Sequence, residues 1–85
     1  METTSGITMY GAAWCSDCRR SKKFFDANQV SYTYIDSEQD LTAADKIVEI
    51  SGKQTIPLII FPDGTHLSEP TDQDLKAKLE TLAIL

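Results

Sequence analysis

The side chains best suited to do chemistry in this chain are two cysteines within Trp14-Cys15-Ser16-Asp17-Cys18. Two thiols at this spacing can pass between a dithiol and a disulfide, and a thiolate is a strong nucleophile. They stand where a short β-prone run gives way to a helix-like pattern. At such a junction the first sulfur projects past the helix N-terminus, where unpaired backbone amides and the helix dipole favour negative charge. The second lies nearly one turn further in, within reach of a short disulfide. A setting of this kind can lower a cysteine pKa from ~8.5 into a range of roughly 3.5 to 7.5. Cys15 therefore reads as the nucleophile and Cys18 as the resolving thiol. Asp17 should offset part of that lowering, while Arg19 and Arg20 are close enough in sequence to help hold a thiolate.

Other uses of the two sulfurs are narrower. A structural zinc site wants four Cys or His ligands, and the chain holds two cysteines and one histidine, His66. No metal site is expected within one chain. An iron-sulfur cluster shared between two chains stays as a non-catalytic alternative, since a cluster takes four thiolates and one chain supplies two. His66 falls on a hairpin strand, where an outward side chain reads as solvated rather than as a proton shuttle.

The formal net charge of −5 argues against nucleic acid or an anionic membrane surface as partner. The longest apolar run, Ile56 to Pro62, is far too short to span a bilayer. Met1 to Gly6 shows neither a basic n-region nor an apolar h-region, so a cytoplasmic protein is expected. There a Cys-x-x-Cys pair is more often catalytic or metal-binding than a structural staple.

The elements that must position the pair follow from patterning. Ile7 to Tyr10 suits a first strand, ending at Gly11. Ser16 to about Asn28 predicts an amphipathic helix, with Cys18, Ser21, Phe24, Phe25 and Asn28 at three- and four-residue offsets. Val30 to Ile35 predicts a second strand, reached by a parallel crossover. Asp40 to Ile50 predicts a second helix with Leu41, Ala44, Ile47 and Val48 on its inner face and Gly52 as its stop. Pro57 to Phe61 reads as a buried central strand, joined through the Asp63-Gly64 turn to a fourth strand, Thr65 to Ser68. Leu75, Leu79 and Leu82 make the stripe of a last helix with Thr71 as its N-cap.

The order βαβαββα implies a four-stranded mixed sheet with helices on its faces. One domain over 1–85 is expected, with residues 1–5 flexible. The cysteine pair falls past the C-terminal end of the first strand, where open α/β sheets place their sites. Trp14 reads as a half-exposed ring shielding the sulfur and touching an incoming disulfide. Phe24 and Phe25 read as core. Tyr10, Tyr32 and Tyr34 read as sheet residues, of which Tyr10 could approach the cysteines. The acidic stretch Asp36 to Asp40 reads as a loop with helix-start charge.

The Trp-Cys-x-x-Cys junction, Thr55-Ile56-Pro57 before the central strand, the Asp-Gly hairpin and the acidic-capped last helix together resemble the glutaredoxin branch of the thioredoxin fold. In detail the stretch Gln54 to Thr65, Leu67-Ser68-Glu69-Pro70 and Leu75 to Leu79 is similar to mycoredoxins, the glutaredoxin-like proteins that serve mycothiol. The resemblance implies a thioredoxin-like fold and an enzyme that reduces mixed disulfides between proteins and a low-molecular-weight thiol. It implies that Pro57 is a cis-proline facing the cysteines, with the Ile56 backbone turned outward to pair with a bound thiol. Trp14, Gln54, Ile56, Pro57, Thr71 and Asp72 would be its substrate-binding residues, the last two taking the amine and carboxylate of the thiol. Glutathione-binding members usually carry Gly-Gly ahead of the last helix and a Lys shortly before the first cysteine. Here those regions read Ser68-Glu69-Pro70 and Gly11-Ala12-Ala13, which favours mycothiol as co-substrate over glutathione. Thiolated client proteins and possible recycling by a reductase follow from the same likeness, as does a monomer. A protein-specific donor recharged by thioredoxin reductase is the nearest enzymatic alternative, lowered because no Trp-Ser-Gly-Phe-Arg-Pro stretch stands at Leu67 to Pro70.

Overall fold

In the computed structural model, which describes residues 6–85, the elements are β1 (Thr8–Gly11), α1 (Ser16–Ala27), β2 (Thr33–Asp36), α2 (Ala43–Ser51), β3 (Leu58–Ile60), β4 (His66–Ser68) and α3 (Asp72–Thr81). The expected flexible segment 1–5 lies outside the described residues. The sheet runs β2-β1-β3-β4. β2 is parallel to β1, with Gly11 opposite Asp36, and the β1/β3 and β3/β4 pairs are antiparallel. Four mixed strands and three helices in this order are the α/β arrangement that the patterning predicts and the thioredoxin-like fold that the resemblance implies.

Successive side chains of a strand point to opposite faces, and β1 and β3 sort accordingly. Met9 and Ile59 face one way, into a core with Phe25 of α1 and Leu75 and Leu79 of α3. Tyr10 and Leu58 face the other, against Ala43 and Ile47 of α2. Two helices therefore cover one face and one the other. Among the described residues no helix is long and apolar enough to cross a membrane.

Two boundaries differ from the sequence reading by three residues, the starts of β2 and α2. Val30 does not join β2, because it closes α1 instead: its N–H donates to Phe25 O at 2.9 Å while Gln29 N–H donates to Asp26 O at 3.2 Å. That pair of bonds is a Schellman motif, with Gln29 at φ 58 as its left-handed residue. The second helix starts later than Asp40, because the Asp40 carboxylate accepts from the N–H and hydroxyl of Thr42 at 2.9 and 2.7 Å and holds a turn. The inner face becomes Ala43 and Ile47, and Leu41 is left 91% exposed.

The hairpin and last helix match their signals. Asp63 accepts from Thr65 N–H and hydroxyl, Gly64 sits at φ 88, and Lys78 Nζ reaches Asp63 at 2.8 Å, tying the turn to α3. Thr71 caps α3 in a reciprocal box with Asp74: its hydroxyl accepts from Asp74 N–H and the Asp74 carboxylate accepts from Thr71 N–H, each at 3.1 Å.

Candidate active site

Cys15 is the N-cap residue of α1, with φ −81 and ψ 115, an extended backbone that turns its side chain over the helix end. Its sulfur accepts from the Cys18 N–H at 3.2 Å. A sulfur in the position usually held by a Ser or Asp oxygen takes up one of the unpaired donors of the first turn and lies on the positive end of the helix. Both thiols are free, Cys18 fully buried and Cys15 nearly so. Burial, then the hydrogen bond with Cys15, pushes the Cys18 thiol up to about 12. The two sulfurs are thus held differently: one on a helix amide at the edge of the core, the other protonated within it.

The arginines serve other partners. Arg19 donates to Ala13 O at 2.8 Å, bracing the turn before the pair. Arg20 donates to Asp17 at 3.0 Å and to Pro70 O at 3.2 Å, and its Nε lies 3.7 Å from Asp72. The hydrogen bond to the Cys15 sulfur comes from the backbone rather than from either guanidinium.

Gly11 fixes how closely β1 approaches the pair. A Cβ there would lie 3.0 Å from Cys18 Sγ and 3.2 Å from Tyr34 Cε1, so only glycine leaves Cys18 room beside the sheet. Tyr34, rather than Tyr10, borders the buried cysteine, since Tyr10 faces the opposite core. Burial and then the Asp36 carboxylate push the Tyr34 phenol up. Lys22 Nζ stands 4.1 Å over its ring.

Ile56-Pro57 is a cis peptide at the start of β3. Tyr10 pairs with Leu58, so the β1/β3 register carries Pro57 to the sheet end from which Gly11 leads toward Cys15. Gln54, Ile56 and Trp14 meet in one groove of about 250 Å³, completed by Ser37, Glu38, Ala44 and Ile47. Trp14 is 64% exposed, and its indole Nε1–H donates to Glu38 Oε2 at 2.6 Å. Thr71 and Asp72 do not line this groove. Thr71 is engaged in its capping box and Asp72 with Arg20.

Glu38 and Ser37 line the groove and Tyr34 borders Cys18, positions that the sequence reading missed. A signal existed: in a parallel pair the C-terminal ends of both strands lie side by side, so the residues after Asp36 must flank those after Gly11. Among the described residues no three His, Cys, Asp or Glu side chains converge as metal ligands.

A family model described as Glutaredoxin matches residues 7–67. The chain belongs to the glutaredoxin family. It is 35% identical over 81 residues to a Mycobacterium tuberculosis protein named Putative glutaredoxin Rv3198A, covering 94% of this chain and 96% of that one. It is 34% identical over 80 residues to Mycoredoxin 1 of Corynebacterium glutamicum, covering 93% and 99% respectively. Among solved structures, a glutaredoxin from Archaeoglobus fulgidus superposes with a TM-score of 0.77 at 23% identity, over 86% of this chain and 84% of that one. A buckwheat glutaredoxin-glutathione complex gives 0.69 at 20% identity, over 89% and 69%. The structural likenesses establish the glutaredoxin fold. As a member of the family this chain is a thiol-disulfide oxidoreductase, and glutaredoxins act with a low-molecular-weight thiol as co-substrate and on protein clients.

Proposed function

We propose that Cys15 and Cys18 form the dithiol centre and that the small thiol is mycothiol. The observation that carries the assignment is the asymmetry of the pair: Cys15 Sγ accepts a helix amide at 3.2 Å, whereas burial holds Cys18 protonated. The Cys15 thiolate attacks the small-thiol sulfur of a protein mixed disulfide. The old S–S bond breaks, the client leaves as a thiolate that takes a proton from water, and Cys15 becomes joined to the small thiol. A second small thiol, as its thiolate, then attacks this adduct, releasing the oxidised small-thiol disulfide and the Cys15 thiolate. Alternatively Cys18 gives up its proton and attacks Cys15 Sγ, forming the Cys15–Cys18 disulfide and expelling the small thiol.

Mycothiol is favoured over glutathione by the state of α3. Asp72 is paired with Arg20 and Thr71 with Asp74, so the helix start has no unoccupied acid set out for the amino-acid end of glutathione. The similarity to Mycoredoxin 1 supports the same choice. A reducing cytoplasm and a monomeric enzyme fit this chemistry.

The test is a coupled disulfide-reduction assay with mycothiol, glutathione or thioredoxin reductase as sole reductant, run on the wild type and on Cys15→Ser and Cys18→Ser. Mycothiol should sustain turnover, Cys15→Ser should abolish it, and Cys18→Ser should retain reduction of small-thiol adducts. Turnover with thioredoxin reductase alone, or full activity of Cys15→Ser, would overturn the reading.

A further inference from the structure

The groove beside Trp14 has a lining whose chemistry is specific. Its polar groups are the Glu38 carboxylate, the Ser37 hydroxyl and the Gln54 amide, and its floor is Ala44, Ile47 and Ile56. No Lys or Arg lines it. The Ser37 O–H donates to Gly11 O at 3.0 Å, which leaves its oxygen with acceptor capacity. Glu38 is anchored at both ends: its N–H donates to Asp36 at 2.9 Å and its Oε2 accepts the indole N–H at 2.6 Å. A carboxylate has two oxygens and about four lone-pair sites, so Glu38 keeps acceptor capacity after binding the indole. The Trp14 ring adds a broad apolar surface with its polar edge already satisfied.

We infer that this groove is a subsite for the uncharged, polyhydroxylated part of the co-substrate thiol, with Glu38 as its specificity-determining residue. Acceptors on Glu38, Ser37 and Gln54 match vicinal hydroxyl donors, and the Gln54 amide supplies donors in return. The apolar floor and the indole suit the C–H faces of a sugar ring or cyclitol. The Glu38 charge repels thiols whose far end bears a carboxylate, which the groove has no cation to neutralise. Trp14 is the covalent neighbour of Cys15, and Ile56 packs against the core cluster that contains Cys15. A thiol whose sugar occupies the groove is therefore tethered beside the attacking sulfur, an advantage of positioning rather than of reactivity. The inference rests on the reading of the protein as a small-thiol oxidoreductase and adds which chemical class of thiol it selects, and through which side chain.

The test compares three mixed disulfides of one peptide: with mycothiol, with N-acetylcysteinamide, which lacks the sugar, and with glutathione. Glu38→Ala should lower kcat/KM for the mycothiol adduct about 5- to 10-fold, the scale of hydrogen bonds to one charged acceptor at a partly exposed site. The loss for the sugarless adduct should be at least about 3-fold smaller, because that substrate does not reach the groove and any effect passed through Trp14 is common to both adducts. Glu38→Gln keeps an acceptor for the indole and removes the charge, and should raise the glutathione to mycothiol ratio of kcat/KM by about 3-fold or more. A second readout needs no turnover. Trp14 is the only tryptophan of the chain, so titrating the Cys15→Ser variant with the uncharged, thiol-free N-acetylglucosaminyl-inositol should change its fluorescence saturably, and Glu38→Ala should weaken that response. Equal losses for the sugar-bearing and sugarless adducts, or an unchanged ratio in Glu38→Gln, would overturn the subsite while wild-type turnover of the mycothiol adduct left the function standing. A wild type that reduced only the glutathione adduct would instead overturn the choice of co-substrate.

Discussion

Arg20 reaches from α1 to the start of α3, where its Nε lies 3.7 Å from Asp72 Oδ1 and its Nη2 donates to Pro70 O at 3.2 Å. The same guanidinium holds Asp17, the residue between the cysteines, at 3.0 Å. One side chain therefore links the segment carrying the thiols to the helix start at which relatives that bind glutathione usually place Gly-Gly. Both partners of the Arg20–Asp72 pair are about half exposed, so its contribution to stability is small and its role is to keep Asp72 occupied. Arg20→Ala should change unfolding free energy by less than ~1 kcal/mol. It should raise glutathione turnover relative to mycothiol about 2- to 3-fold by releasing Asp72 for an ammonium group. The ratio of kcat/KM values checks this, since any change in Cys15 reactivity cancels between the two substrates.

Cys18 should behave as a thiol with no thiolate character at neutral pH. Iodoacetamide at pH near 7 should modify Cys15 alone, read as one added group on that residue by mass spectrometry. The same raised pKa makes a stability prediction with a definite sign. The folded state keeps the Cys18 proton, with a pKa of about 12, while the unfolded chain releases it near 9.0. Its contribution is complete below pH 9.0 and is lost as pH rises toward about 12. Urea unfolding from neutral pH to pH 10.5 should show the wild type losing stability faster than Cys18→Ser above pH 9, and parallel curves would refute the assignment.

Ser21 is fully buried on α1, and its hydroxyl has no hydrogen-bond partner among the described residues. A buried hydroxyl without a partner costs roughly 1 to 3 kcal/mol. Ser21→Ala should stabilise the protein by about 1 kcal/mol, raising Tm by ~4–8 °C for a domain of this size. Calorimetry decides it, and a lowered Tm would mean that the hydroxyl is satisfied.

Ala83 closes α3 at φ 60, as Ile84 N–H donates to Leu79 O at 2.9 Å and Ala83 N–H to Glu80 O at 3.1 Å. A left-handed backbone costs an L-residue roughly 1 to 2 kcal/mol. Ala83→Gly removes that cost against the greater freedom of glycine in the unfolded chain, for a net gain of about 0.5 kcal/mol. Ala83→Val should lose about 1 kcal/mol, a β-branched side chain fitting this backbone worse. Shifts of the urea midpoint in opposite directions would confirm it.

Features written in adjacent residues were legible in the sequence. The Cys-x-x-Cys junction, the Thr71 cap and the Asp63-Gly64 turn each need a few consecutive positions, and all three take the expected form. Features that depend on pairing between distant segments were not. Glu38 reads as loop charge until the parallel register of β1 and β2 places it against Trp14, and Tyr34 reads as an ordinary strand residue until Gly11 lets it close on Cys18. Leu41 misled through periodicity, because the hydrogen bonds from Thr42 to Asp40 outcompete an earlier helix start and shift its frame.

The amide that Cys18 offers to Cys15 also has an electrical meaning. In the proposed cycle Cys15 reacts as a thiolate, which accepts a stronger hydrogen bond than a neutral disulfide sulfur does, so there the first turn of α1 favours the reduced pair over the oxidised one. Such a preference is a voltage: about 1.4 kcal/mol in favour of the dithiol raises the two-electron potential by roughly 30 mV, toward a stronger oxidant. The helix end therefore biases the direction in which electrons flow through the protein, as a fixed offset that favours its recharging by small thiols and opposes its reduction of clients.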